Sequence, residues 1–279
     1  MRHVLELDEP AIGFTDSFLL GNGRFGATVR GGIGVERIDL NLDTFWSGGP
    51  HEIERGQPPA HLLPLLRDAI RRGDQRLADH LASQMQGPGW TESYQPLGAV
   101  LLSYGPKQDA VLYRRRLDLS KAVASTRYEM ASKAVEMVSF VSLADDVFVS
   151  TVSGPGLLDW HDLGVAYESP HPGVQMDIES TDDLRWLMIG GRAPVKAMPN
   201  YVTVEPAVVY DRDGPAADGT VAKGMAYAIV AVLQQVGPGE TRLIVAASTG
   251  FRGYGQRPIG NPRALIRSAR DRVEVALRH

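Results

Sequence analysis

The run Gly21-Asn22-Gly23-Arg24-Phe25-Gly26 reproduces the G-x-G-x-x-G pattern that cradles a dinucleotide pyrophosphate. That chemistry needs a strand before the glycines and a helix after them, so that helix-terminal N–H groups meet the phosphate. The residues that follow, Ala27-Thr28-Val29-Arg30-Gly31-Gly32, read as strand and turn. The run is therefore expected to be an Asn-Gly turn between two strands, and no cofactor is expected. The seven histidines (His3, His51, His61, His80, His161, His171 and His279) show neither His-x-His nor His-Glu-x-x-His spacing, and the chain has no cysteine, so no metal site is expected. No G-x-S-x-G elbow marks a nucleophilic serine. Asp43, Glu92 and Asp145-Asp146 sit in turn-rich contexts and read as turn or surface groups rather than as an acid/base pair.

Two loops mix aromatic rings with polar groups. One is Asn41-Leu42-Asp43-Thr44-Phe45-Trp46-Ser47-Gly48-Gly49-Pro50, the other Gly89-Trp90-Thr91-Glu92-Ser93-Tyr94-Gln95-Pro96. Rings flanked by amides and carboxylates suit the C–H faces and hydroxyl rims of sugars. They serve equally to anchor long loops onto the fold or onto a neighbouring domain, and anchoring is the expected role.

The elements that position these loops are mostly strands. Thirty Gly and 18 Pro cut the 279 residues into short segments with period-two alternation of β-branched and aromatic residues between them. Strands are expected at 35–40 (with Val35 out of phase), 123–130, 135–141 and 147–152, the last three as an antiparallel meander. Further strands are expected at 184–189, 202–210, 226–233 and 243–247, and the Arg114-Arg115-Arg116 run lies in another, between Val111-Leu112 and Leu117. So many strands with so few helices mean a mainly β sandwich or barrel. A helical insertion at about 58–86 interrupts them. Its first helix carries Leu62, Leu63, Leu66, Ala69 and Ile70, Gly73 stops it, and Asp74 caps a second helix bearing Leu77, Leu81 and Met85. Gly87-Pro88-Gly89 ends the pair, which is expected to pack outside the sheets. After Asn261-Pro262, an N-cap and first-turn proline, Leu265, Ala269, Val273 and Leu277 form a helical stripe up to His279. Having no terminating Gly or Asn, this helix is expected to run on toward a partner absent from the chain, the alternative being a C-terminal helix folded back on the sheets.

Charge narrows the function classes. Lys plus Arg is 29 against 33 Asp plus Glu, a net charge of −4, which is not the basic balance of a nucleic-acid binder. No apolar run approaches the roughly 20 residues of a membrane span, and the first eight residues carry acids where a signal peptide keeps an apolar core. The expected location is cytoplasmic; an exported protein whose leader had been removed would leave the same residues.

Gly21 to Ala27, the segment from Glu36-Arg37-Ile38 to Pro50, Tyr94-Gln95-Pro96-Leu97-Gly98, Ser169-Pro170-His171-Pro172 and Gly191-Arg192-Ala193-Pro194 with Pro199-Asn200-Tyr201 follow one another in this order. Together they resemble the N-terminal domain of the α-L-fucosidases of glycoside hydrolase family 95, over essentially the whole chain. One departure is Leu42, where that family's Asn-Glu-Asp-Thr run has Glu. The resemblance implies a large antiparallel β-super-sandwich over 1–260, with residues 261–279 beginning a helical linker to an (α/α)6 catalytic barrel, in cis or as a separate chain. It further implies an inverting hydrolase whose acid and water-activating groups belong to the barrel, so no catalytic residue carries over to this chain. The domain is then expected to be non-catalytic and to support the barrel, with Asn41, Asp43, Trp46, Asn200 and Tyr201 as barrel-side or sugar-side contacts and a fucosylated glycan as a possible ligand. Alternatives are a free-standing carbohydrate-binding module, a complete small enzyme, or a relative in a sister family that acts on other glycosides or phosphorolyses maltose.

Overall fold

The computed structural model describes residues 3–49, 59–86, 91–105, 110–154, 158–211, 223–258 and 260–279. Pro50, Pro58, the Gly87-Pro88-Gly89 stop, Trp90 and Pro155-Gly156 lie outside the described residues. In chain order the strands and helices are β1 (Val4–Leu7), β2 (Phe18–Gly21), β3 (Phe25–Val29), β4 (Val35–Leu42), α1 (Leu62–Arg71), α2 (Gln75–Met85), β5 (Gly98–Ser103), β6 (Val111–Asp118), β7 (Val123–Met130), β8 (Lys133–Ser142), β9 (Val147–Ser153), β10 (Gly164–Glu168), β11 (Gln175–Ser180), β12 (Leu184–Arg192), β13 (Lys196–Ala197), β14 (Val208–Val209), β15 (Ala226–Gly237), β16 (Glu240–Thr249) and α3 (Pro262–Ala276). A nine-stranded sheet runs β1-β6-β7-β8-β9-β16-β15-β12-β11 and faces a five-stranded sheet, β10-β5-β4-β3-β2. All pairings are antiparallel. The mainly β sandwich expected from the strand rhythm is the fold.

Alternation decides what lies between the sheets. In β4, Glu36, Ile38, Leu40 and Leu42 point inward and Val35, Arg37, Asp39 and Asn41 outward. Leu42 is thus a core residue, 1% exposed and paired across the sheet with the buried Phe25. The narrower sheet lies over the middle of the wide one, β2 and β3 above β7 to β9 and β10 above β12 and β15. The edges of the wide sheet overshoot it. Leu5 and Leu7 of β1, and Met176 and Ile178 of β11, share the inner face with Leu117 and Ile189 yet stay exposed.

Two expectations about strands and helices change. The stretch 202–210 is not one strand: only Val208–Val209 pairs, with Lys196–Ala197, and Pro206 brings no N–H for a longer ladder. The C-terminal stripe is not unpartnered. Ala269, Val273 and Ala276 are buried on the outer face of the wide sheet against Val147, Trp186, Met188, Val230, Val232 and Ile244. Arg270 stacks over Trp186 at 4.7 Å and pairs with Glu179 and Glu274, while Arg272 reaches Asp146 at 3.0 Å. Asn261 caps the helix through the Arg263 N–H. The helical hairpin forms as read: Gly73 turns at φ +73° and the Asp74 carboxylate accepts from the Leu77 N–H. Its apolar cluster of Ala69, Ala78 and Leu81 is separate from the cores of the sheets.

The buried Glu36 ties the turn after β3 to the core. Its Oε1 accepts from the Arg30 N–H at 2.6 Å and its Oε2 from the Gly32 N–H at 2.8 Å. Burial pushes its pKa up to about 7, against the pull of these backbone donors and of Arg30. A carboxyl raised above its unfolded value of 4.5 contributes stability that is fully present below pH 4.5 and lost as pH rises through about 7.

Two mutational predictions follow from this packing. Glu36→Gln, whose amide turns an N–H donor toward another, is expected to cost about 1–3 kcal/mol and to flatten that part of the pH profile in urea titrations. Val273→Asp, placing a charge under α3, is expected to cost roughly 3 kcal/mol or more, whereas Val275→Asp on the exposed face stays within about 0.5 kcal/mol in the same assay.

Candidate functional site

Antiparallel register brings the loops singled out in the sequence to one end of the sandwich. The end of β4 pairs with the start of β5, whose other neighbour is the end of β10. The end of β12 pairs with the start of β15, and the start of β15 with the end of β16. Specific hydrogen bonds then join loop to loop. The Thr44 and Thr249 hydroxyls meet at 2.7 Å, the Gly48 N–H donates to the Pro194 carbonyl at 3.0 Å, and the Ser93 hydroxyl donates to the Ala197 carbonyl at 2.8 Å. Ser47 donates its hydroxyl to Glu92 at 2.6 Å. Gly48 is favoured there by its φ of +56°, and a Cβ would also displace that carboxylate.

His171 is the centre of this end. It is 5% exposed, and its ring lies against Phe45, Tyr210 and Tyr227, with centroids 5.4–6.1 Å away. The Pro96 carbonyl, 2.9 Å from Nε2, can only accept, so Nε2 carries the proton. Nδ1 then accepts from the Tyr210 hydroxyl at 3.0 Å. Burial holds the imidazole below its ordinary pKa, with the Pro96 bond opposing. Ser169 closes the loop by accepting the His171 N–H and donating to its carbonyl. Burial also raises Tyr167, Tyr210 and Tyr227, so these hydroxyls stay protonated and bridge the sheets without charge.

The residues expected to make outside contacts separate into three groups. Asp43 and Trp46 come together with Tyr94. The Trp46 indole N–H donates to the Asp43 carbonyl at 2.8 Å, the backbones of Trp46 and Tyr94 form a β-bridge, and their rings stand 5.0 Å apart at 64°. Both rings are about two-fifths exposed, at 40% and 42%. Asn200 and Tyr201 lie exposed in a turn of the 198–207 loop, whose base is tied by the Met198 N–H to the Ala207 carbonyl. Asn41 joins neither; it sits in β4 opposite Gly26, its Oδ1 buried without a hydrogen-bond partner. Tyr201, Phe251 and Tyr254 add exposed rings to the loops of this end. Asp211 is occupied by the Gly224 N–H and Arg192, beside a cleft of about 680 Å³ lined by Gly190, Gly191 and Arg192. A larger cleft of about 960 Å³ lies at the opposite end, around Trp160 and Arg185.

Several motif residues prove to be internal anchors. Asn22 accepts the Arg24 and Phe25 N–H groups, donates to the Ser142 carbonyl and Asp146, and so makes the turn between β2 and β3 that the missing helix predicted. Asp146 lies in the turn between β8 and β9 as read, and is in addition a half-buried hub that also holds Arg24 and Arg272. Glu92 is another half-buried anchor. His171 and Glu36 went unnoticed as structural centres; the signals were the prolines flanking His171 and the single acid at an inward position of β4. Among the described residues, no group of three or more His, Asp or Glu is placed to hold a metal ion, and no helix is long and apolar enough to cross a membrane.

The fold and this end together define a two-sheet antiparallel β-sandwich domain whose loops are cross-linked at one end. Residues 5–254 match the family model described as "Glycosyl hydrolase family 65, N-terminal domain", and the chain belongs to that family. It is 33% identical over 168 residues to the "Probable alpha-fucosidase A" of Aspergillus niger, a match covering 57% of this chain and 21% of that protein. It is 30% identical over 156 residues to the "Alpha-L-fucosidase 2" of Arabidopsis thaliana, covering 54% and 18%. The matched stretches thus span about a fifth of the length of these curated relatives. The resemblance read from the motifs was to family 95 and the matching model is of family 65; a glycoside hydrolase N-terminal domain is common to both.

Because His171 is buried neutral, its contribution is present above the ordinary histidine value of 6.5 and is lost as pH falls through its lowered folded value. His171→Leu, which strands the Pro96 carbonyl and the Tyr210 hydroxyl, is expected to cost roughly 2 kcal/mol and to weaken the acid-side dependence of the thermal midpoint.

Proposed function

We propose that this chain is the non-catalytic N-terminal domain of an α-L-fucosidase-like glycoside hydrolase of the family-95 type, and that it supports an (α/α)6 barrel that hydrolyses α-L-fucosyl linkages with inversion. The observation that carries this reading is the pattern of similarity. An N-terminal-domain model covers the chain from residue 5 to 254, and the relatives named as α-fucosidases are about five times longer than the stretch they share with it. In this reading α3, which lies beyond that match and packs on the wide sheet, begins the linker to the barrel. The spending of Asn22, Glu36, Glu92 and His171 on internal bonds agrees with a scaffold role. The loop end with Tyr201, Phe251 and Tyr254 is the surface that meets the barrel, with Trp46 and Tyr94 at its rim, since exposed rings concentrated on cross-linked loops are suited to a protein interface.

The test is complementation. The 279-residue chain alone is expected to release no fucose from an α-1,2-fucosylated oligosaccharide. Adding the remaining portion of its source protein, in cis or as a second chain, is expected to restore release and to protect the loop end from hydrogen exchange. Fucose release by this chain alone would overturn the reading.

A further inference from the structure

We propose that Trp46, Tyr94 and Asp43 form a subsite for a neutral pyranoside at the rim of the loop end, resting on the glycoside hydrolase reading above. Three observations carry it. The first is a pinned aromatic corner. Trp46 is held by its indole N–H on the Asp43 carbonyl and by the backbone bridge to Tyr94, and Tyr94 is followed by Gln95, whose N–H donates to the Phe45 carbonyl. Exposed rings are ordinarily free to turn, and ordering one costs conformational entropy on binding. Here that entropy is already lost in the unbound chain, so a ligand gains the stacking without the ordering penalty.

The second observation is the pair of polar groups beside the rings. Among the described residues, no hydrogen bond occupies the Asp43 carboxylate or the Tyr94 hydroxyl, and burial first, then the charge of the nearby Asp43, opposes ionisation of the phenol. A carboxylate accepts only, and a phenol can donate. The site therefore offers one acceptor and one donor, which is what vicinal sugar hydroxyls satisfy. The third is the contrast with the neighbouring acids. Glu92 is taken by Ser47, and Asp211 by Gly224 and Arg192, whereas the Asp43 carboxylate remains open at the edge of the rings.

The chemistry sets the ligand class. A pyranose lays a C–H face on the indole and directs hydroxyls to Asp43 and Tyr94. An anionic sugar brings its carboxylate toward Asp43 and is repelled. A single subsite of this size binds weakly, at the ~mM level.

The experiment is ligand-observed NMR and calorimetry on the 279-residue chain, with methyl α-L-fucoside and 2′-fucosyllactose as probes and glucuronate as the anionic control. The expected result is saturable binding of the neutral sugars and at least tenfold weaker binding of glucuronate. Trp46→Ala is expected to abolish binding, with circular dichroism and the thermal midpoint showing that the fold persists. Should Trp46→Ala fail to fold, Tyr94→Phe is expected to weaken binding several-fold, and Asp43→Asn to narrow the gap between glucuronate and the neutral sugars. No saturable binding up to ~50 mM, undiminished binding by the variants, or equal binding of glucuronate overturns the subsite. Absence of sugar binding together with fucose release restored by complementation would leave the scaffold reading standing while the subsite falls, so the two fail separately.

Discussion

Residues 226–233 are buried on both faces, and that double burial is the constraint on which the molecule depends. Tyr227, Ile229, Ala231 and Leu233 lie between the sheets, while Val230 and Val232 lie beneath α3. A strand half-exposed to water alternates apolar with polar residues; one covered on both sides does not. Ala226-Tyr227-Ala228-Ile229-Val230-Ala231-Val232-Leu233 therefore requires two covering layers. The narrow sheet supplies one and the C-terminal helix the other, with Arg270 and Arg272 extending the contact through Trp186 and Asp146. At roughly 25 cal/mol per Å² of apolar surface removed from water, a strand covered on both faces contributes more per residue than one with a wet face.

The same strand leads into the cross-linked loop end. Tyr227 pairs with Thr249 and carries its hydroxyl toward Tyr167 and Ser169, so the loops are mounted on the most buried part of the sandwich. His171 and its partners make a network in which every polar atom is neutral and nearly every one is paired, which low polarity rewards and incomplete pairing would penalise. Rigid support beneath and exposed rings above is the arrangement a presented surface needs, whether the surface meets a protein domain or a glycan.

Much of this was legible in the chain. The meander of β7, β8 and β9 fell where alternation placed it, because both faces of those strands keep a period of two. The Asn22 turn was distinguishable from a dinucleotide loop since a strand follows it. Gly73, Asp74 and Asn261 marked helix ends through local backbone chemistry alone. Tertiary packing overrode the pattern in other places. The apolar run 202–210 yields only a two-residue strand around Pro206, and the stripe of α3 is amphipathic because it rests on its own sheet. Leu42, where the resembled family carries Glu, points inward and is core, so its difference bears on packing rather than on the open edge at Asp43.

The sequence by itself determined the class of fold, the positions of most strands and helices, and the short motifs that tie the chain to glycoside hydrolase N-terminal domains. Those features are local: periodicity, capping and turn chemistry act over a few residues. Only the tertiary structure decided that residues as distant as Thr44 and Thr249, or Pro96, His171 and Tyr210, are partners, and that Asp43 joins Trp46 and Tyr94 while Asn41 does not. The reason is that burial and hydrogen-bond pairing depend on which strands become neighbours and which faces are covered, and sheet order is a property of the whole chain rather than of any stretch within it.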